Sequence, residues 1–326
     1  MSFKNIINQD SAIEFLLAAY RANRIASSYL FIGKEGSGTV EVAKEFAKLL
    51  NCKSPVENPC DNCQSCHQID KGIHPDVHWY FGTGRVIPIS AVRDIEKYIN
   101  LKPYEAKKKI FIITEAQYLN EESSNALLKT LEEPPVDSLL ILITTDSKNL
   151  LPTITSRCQR IIFNSLDDKE IKGILMKDYR LPLFQANFIS YLAEGSLGKA
   201  LEFNNRKEEI LEKRDCIINS ILFKKFSLFK MEEFSSHQAN QKRNNLFLLL
   251  DLLLSWLMDL LRIKIGLTEK IINLDKLDSL EKISKNYSFE ELLKNINIVA
   301  NTKYFISKNT NVKLSFGRLR AELWNE

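Results

Sequence analysis

The sequence lacks a strong excess of charge of either sign. Its 45 Lys and Arg residues stand against 41 Asp and Glu residues, which leaves a formal net charge of +4 over 326 residues. So small an excess does not by itself predict binding to nucleic acid or to a membrane surface. Internal repeats and low-complexity stretches are also missing, and 44% hydrophobic with 26% charged residues is ordinary globular usage. Collagen-like and wholly disordered classes are therefore excluded.

Targeting and membrane signals are also lacking. The N-terminal stretch MSFKNIINQD has no charged segment followed by an apolar run, as a secretory signal would. Segment 246–261 is rich in leucine, but polar residues recur along it at spacings that place them on one stripe of a helix. These residues are Asp251, Ser255, Asp259 and Arg262. We therefore predict a largely buried helix with one solvent-exposed edge, in a soluble protein of a reducing cytoplasm.

Four of the six cysteines fall within fifteen residues and form the pattern C-x7-C-x2-C-x2-C: Cys52, Cys60, Cys63 and Cys66. Four thiolates complete the tetrahedron that structural zinc prefers, and such a closed site stabilises rather than catalyses. The pattern therefore predicts one structural zinc. The alternative is an iron–sulfur cluster, although that pattern normally continues with a downstream cysteine. His67 and His74 are nearby but are not needed as ligands.

The first half of the chain alternates apolar, β-branched runs with helical patterns. Strands are predicted at Tyr29–Ile32, Lys109–Ile113 and Leu139–Thr144, and a helix over Glu121–Glu132 that begins after Asn120. This alternation favours a parallel sheet with helices on both faces. After residue 163 the strand signals fade, and the remaining sequence has helical spacing.

The first predicted strand is followed by a glycine loop in the register of a phosphate-binding P-loop. Gly33 and Gly38 are in place, but Thr39 stands where the lysine belongs, and Val40 has no hydroxyl for Mg²⁺. Similarly, the strand that should end in a metal-binding aspartate ends in Thr114, followed by Glu115. We expect a loop that keeps its shape without its nucleotide chemistry. Considered alone, the glycines fit an ordinary turn equally well.

Several local strings together resemble bacterial clamp-loader subunits of the AAA+ class, which serve the replicative DNA polymerase III. They are Ser28–Phe31 before the glycine loop, the cysteine insertion, His74-Pro75-Asp76, the run from Asn125 to Pro135 and Ser156-Arg157-Cys158. The resemblance implies an AAA+ α/β domain over residues 1–165 with a zinc module at 52–66. It further implies a small helical lid domain over 166–205 and an all-α collar domain, which mediates oligomerisation, over 206–326.

The resemblance also implies roles for single residues. Gly198 stands where active subunits place the arginine of the second sensor, so a third part of the nucleotide site is defective. Arg157 matches the arginine finger that a subunit donates to the ATP site of its neighbour. The expected function is therefore that of a non-hydrolysing scaffold subunit that binds no ATP. Its partners would be ATPase subunits, the clamp-opening subunit and, through the assembly, the sliding clamp and primer–template DNA.

Two other functions stay open on the residues alone. One is an active ATPase that uses an unusual loop, and the other is a zinc-dependent nucleic-acid-binding protein. The second would show strong, salt-sensitive DNA binding, which a net charge of +4 does not favour.

Overall fold

The computed structural model describes residue 3 and residues 6–55, 58–82, 86–222, 239–308 and 310–324. It divides into two compact units, Met1–Leu166 with Ser196–Gly198, and Asp167–Gly195 with Lys199–Glu326. The first unit is built on a parallel sheet and the second on helices. The predicted fold class is therefore confirmed, whereas the domain boundaries at residues 165 and 205 stay predictions.

The sheet of the first unit has the strand order β2-β3-β4-β1-β5, and all neighbouring strands are parallel. Tyr29 of the first strand is in register with Ile141 on one side and with Gln159 on the other. The strands are β1 (Ser28–Ile32), β2 (Val77–Tyr80), β3 (Lys109–Ile113), β4 (Ser138–Thr144) and β5 (Gln159–Ile162). The helices of this unit are α1 (Asp10–Arg21), α2 (Thr39–Asn51), α3 (Gln64–Asp70), α4 (Ile89–Ile99), α5 (Glu121–Glu132) and α6 (Pro152–Thr155).

Both faces of this sheet are covered by helices. Tyr29 and Phe31 of β1 pack into one apolar cluster, which also contains Phe46 of α2. Leu30, which lies between them in sequence, packs into a second cluster with Leu127 of α5. Because successive side chains of a strand point to opposite faces, the continuous apolar run of β1 follows from burial on both faces.

The two strands at the edges of the sheet were not predicted. β2 contains His78, and β5 begins with two exposed polar residues, Gln159 and Arg160. An edge strand has a neighbouring strand on one side only, and such strands are often short and polar. They therefore lack the apolar runs that identified β1, β3 and β4.

The second unit is built from helices. No helix in the described parts of the chain has both the length and the apolar character that spanning a bilayer needs. The helices are α7 (Asp168–Asp178), α8 (Leu183–Leu192), α9 (Leu197–Asn205), α10 (Lys207–Leu222), α11 (Ala239–Lys264), α12 (Leu277–Ser284), α13 (Phe289–Ser307) and α14 (Val312–Trp324). Helix α9 begins with two residues of the first unit.

The predicted solvent-exposed edge of the leucine-rich helix is wrong at its centre. Ser255 and Asp259 of α11 have no exposed surface, whereas the side chains of Asp251 and Arg262, at the two ends of the stripe, are 22% and 19% exposed. The Asp259 carboxylate accepts hydrogen bonds from the backbone N–H groups of Ile272 and Asn273, at 2.9 and 2.7 Å, and from Arg262 at 2.8 Å. The centre of the polar stripe therefore fixes the loop after α11 to the helix instead of facing water. Spacing identified the stripe correctly but could not show what lies opposite.

We expect Asp259→Ala to lower the free energy of unfolding by about 3–5 kcal/mol, because it leaves the buried groups that bind the carboxylate without a partner. Urea denaturation followed by far-UV circular dichroism measures this change. The matched control is Glu281→Ala on α12, whose exposed side chain should change the free energy by less than about 0.5 kcal/mol. Equal effects of the two substitutions would contradict the structural role given to Asp259.

Candidate functional site

The glycine loop leaves the sheet at the carboxyl end of β1. The Gly33 N–H donates a hydrogen bond of 3.1 Å to the Thr144 carbonyl at the end of β4. Gly38 has a φ of +96° directly before α2 begins at Thr39. That left-handed conformation favours glycine, so the predicted loop framework is present, at the sheet edge where parallel α/β folds place their ligand sites.

Other parts of the chain bind the carbonyl groups of this loop. The Gln9 side-chain amide donates to the Ser37 carbonyl at 3.0 Å, and the Gly198 N–H donates to the Gly36 carbonyl at 3.0 Å. A Cβ atom at position 198 would lie 2.9 Å from the Gly36 Cα atom. An arginine at position 198 would therefore require the loop backbone to move. Ser196–Gly198 and the loop both belong to the first unit.

A P-loop has a lysine and then a hydroxyl at these two positions. Here Thr39 has no positive charge for phosphate, and Val40 has no hydroxyl for a metal ion. Thr39 is buried beside Gly33, and Val40 presents an apolar side chain with 40% of its surface exposed. At the end of β3, the Thr114 hydroxyl donates to the Tyr80 carbonyl at 3.3 Å. Glu115 follows in a left-handed conformation, with a φ of +53°.

A polar pair that no motif in the sequence indicated lies beside the loop. The Thr144 hydroxyl donates to the Gln117 side-chain oxygen at 3.0 Å, and the Thr145 N–H donates to the same oxygen at 3.3 Å. Thr144 is buried. The available signal was its position at the end of β4, the strand beside β1, because the carboxyl ends of parallel strands meet at one edge of the sheet.

Arg157 lies between α6 and β5, and its side chain is about one-third exposed, at 36%. Its guanidinium donates to the Thr153 carbonyl at 3.0 Å and forms an ion pair of 2.7 Å with Glu132 at the end of α5. The Arg157 carbonyl accepts a hydrogen bond of 2.9 Å from Ser28 of β1. The backbone of Arg157 is thus fixed to the sheet while its charge remains at the surface. No local pattern pointed to Glu132, which is distant in sequence.

The four clustered cysteines converge on one point. Their Sγ atoms all lie within 4.8 Å of one another, compared with the roughly 3.8 Å expected between sulfurs that each lie about 2.3 Å from one tetrahedral zinc. Cys52 ends α2, Cys60 and Cys63 flank a turn, and Cys66 is in α3. The backbone N–H of Cys63 donates to the Cys60 sulfur at 3.3 Å, and that of Cys66 to the Cys63 sulfur at 3.5 Å. Donor chemistry and geometry both fit one four-coordinate metal ion such as zinc.

The cysteine thiols have different environments. Burial raises the pKa of the Cys52 and Cys66 thiols. Burial acts on Cys63 in the same direction, but hydrogen bonds from the backbone N–H groups of Lys53 and Cys66 outweigh it and lower the pKa of Cys63 to about 6. Backbone donors that stabilise a thiolate also favour it as a metal ligand.

Comparisons with known proteins agree with this architecture. Residues 8–167 match the family model of the DNA polymerase III delta subunit, and residues 208–316 match the model of its C-terminal part. DNA polymerase III subunit delta' of Bacillus subtilis is 29% identical over 94% of this chain and 93% of its own length. DNA polymerase III subunit tau of the same organism is 31% identical over 66% of this chain but only 40% of its own length.

A solved structure agrees on the fold. The DNA polymerase III gamma subunit-related protein of Thermotoga maritima has a TM-score of 0.50 at 19% identity, over 96% of this chain and 99% of that one. The matched family models and the delta' relative, on this sheet with its glycine loop and helical second unit, identify a clamp-loader subunit of the AAA+ class. Within that class, the chain belongs to the DNA polymerase III delta-subunit family, and nearly its whole length is similar to a delta' subunit. The resemblance described from the sequence is therefore confirmed.

We expect the purified protein to contain about one zinc per chain, because the four thiols form one closed site. Metal analysis of wild type and of Cys63→Ser tests this, and the variant should lose most of its metal. Cys216→Ser is the matched control, since Cys216 is exposed in α10 and outside the cluster. Iron with the visible absorbance of an iron–sulfur cluster, or wild-type protein without metal, would contradict zinc as the bound metal.

Proposed function

We propose that this subunit does not hydrolyse ATP and instead completes the ATP site of a neighbouring subunit with Arg157. One contrast supports the proposal most directly. The positions that carry nucleotide chemistry in a P-loop ATPase hold Thr39, Val40 and Thr114, whereas Arg157 keeps its charge at the surface on a backbone fixed to the sheet. Losses confined to nucleotide chemistry, on an intact scaffold, favour a subunit that supports ATP hydrolysis elsewhere.

Each lost group has a defined role in phosphoryl transfer. The P-loop lysine neutralises charge on the β- and γ-phosphates, the neighbouring hydroxyl holds Mg²⁺, and an acidic residue at the next strand end orients that ion. At these three positions, Thr39 has no positive charge, Val40 has no hydroxyl and Thr114 has no carboxylate. The close approach of Gly198 to Gly36 adds a second obstacle, because an arginine side chain at position 198 would meet the loop backbone.

The chemistry of Arg157 suits transfer between subunits. A guanidinium is charged at every physiological pH and presents several N–H groups that fit phosphate oxygens. In this chain two of its contacts are to Thr153 and Glu132. The ion pair with Glu132 is solvent-exposed and therefore worth at most about 1 kcal/mol. A triphosphate at a subunit junction carries more negative charge than one carboxylate, so it can replace Glu132 as the partner of the guanidinium.

The neighbours that we propose are ATPase subunits related to the tau and gamma proteins, together with a clamp-opening subunit. The chain resembles tau over about two-thirds of its length and a delta' subunit over nearly all of it. In such an assembly the helical second unit provides contacts between subunits. ATP hydrolysis by the neighbours then drives loading of the sliding clamp onto primer–template DNA.

We expect Arg157→Ala to leave the fold intact and to slow ATP hydrolysis at the junction that it serves by on the order of 10³, the lower end of the range for arginine fingers in GTPases. The assay combines the full chain with an ATPase-competent partner subunit and follows a single turnover of ATP. Arg157→Lys should restore little of the rate, because a lysine keeps the charge but not the fork of N–H donors.

Arg160→Ala is the matched control for this assay. Arg160 is an exposed arginine on the adjacent strand β5, and its side chain donates a hydrogen bond of 3.2 Å to the Thr155 carbonyl. Its loss should leave the rate within about twofold of wild type. An assembly with Arg157→Ala that hydrolyses ATP at the wild-type rate would exclude the proposed finger.

The isolated chain should show no saturable binding of Mg-ATP with a Kd tighter than about 1 mM. Equilibrium dialysis with labelled nucleotide measures this, with an ATPase-competent subunit as the positive control. Tighter binding that also depends on magnesium would instead support an active ATPase with an unusual loop.

A further inference from the structure

Lys48 of α2 is a lysine with no exposed side-chain surface. Its ammonium forms ion pairs with three carboxylates: Glu45 at 3.1 Å, Asp70 at 3.2 Å, and Asp61. Lysines are seldom buried completely, and a buried charge is tolerated only when it is well paired. Because burying a cation costs free energy, we expect these ion pairs to hold the segments that carry the three carboxylates in place.

Two of the three carboxylates lie on the segments that carry the metal-binding cysteines. Asp61 is in the turn between Cys60 and Cys63, and Asp70 is the last residue of α3, the helix that contains Cys66. Lys48 itself lies one helical turn before Cys52, at the end of α2. Lys48 therefore lies in the helix that leads into Cys52, and its ammonium contacts the two segments that supply the other three sulfurs.

The conformation of the turn depends on the same contact. Asp61 has a φ of +56°, in the left-handed region that residues other than glycine seldom adopt and that Asp and Asn tolerate best. The ion pair with Lys48 gives this side chain a fixed direction. The aspartate thus combines tolerance of the turn geometry with attraction to the buried cation.

We propose that Lys48 is a positioning residue for the metal site. Its ammonium holds the turn of Cys60 and Cys63, and the helix of Cys66, against the end of α2 where Cys52 lies. Groups outside the ligand shell that orient ligands in this way typically change metal affinity by about 10–100-fold when they are removed.

The decisive variant is Asp61→Asn in the full-length protein. Asparagine has nearly the same shape and tolerates a positive φ, so the turn stays unstrained while the ion pair with Lys48 is lost. At a temperature well below the melting transition, with folding verified by circular dichroism, zinc release to an excess of a colorimetric chelator should be about 10–100-fold faster than from wild type. Lys48→Met should accelerate release at least as much.

Asn62→Ser is the matched control, because Asn62 is an exposed residue of the same turn and its loss leaves Lys48 paired. This variant should release zinc at the wild-type rate. Folded Asp61→Asn protein that releases zinc as slowly as wild type would overturn the proposal and leave Lys48 a purely structural ion-pair residue. The inference rests on the metal site but not on Arg157, and zinc-free wild-type protein would exclude the site itself before any variant is compared.

Discussion

Burial of both faces of the parallel sheet is the constraint on which the rest of the first unit depends. Because Leu30 packs to one side and Tyr29 and Phe31 to the other, neither face of β1 is open to a ligand. The polar and conformationally special residues around β1 therefore lie at the ends of the strands. The glycine loop, Thr114 and Thr144 all follow or end strands at the carboxyl edge, and the metal site lies on an insertion between α2 and β2.

Much of this arrangement could be predicted from the sequence. The buried strand Lys109–Ile113 and the helix Glu121–Glu132 have the predicted bounds, because an apolar β-branched run and the Asn120 N-cap are local signals. The cysteine spacing similarly predicted a cluster that the structure brings together. In each case the determinant lies within a few residues along the chain.

What could not be predicted depends on partners distant in sequence. The polar stripe of α11 was correctly identified, but only the loop at Ile272 and Asn273 shows that Asp259 is buried. Two other contacts also join residues from different segments of the chain. They are the ion pair of Arg157 with Glu132 and the contacts of Lys48 with Asp61 and Asp70. A charged residue has the same letter in a solvated face and in a buried network, so its role becomes visible only when the opposing segment is known.

The close approach of Gly198 to Gly36 has a consequence for the substitutions that each position tolerates. The two backbones are joined by a hydrogen bond, and a Cβ atom at position 198 would lie 2.9 Å from the Gly36 Cα atom. Any larger residue at position 198, even alanine, would therefore displace the glycine loop. The start of α9 and the loop after β1 thus restrict each other's sequence, although they are far apart along the chain.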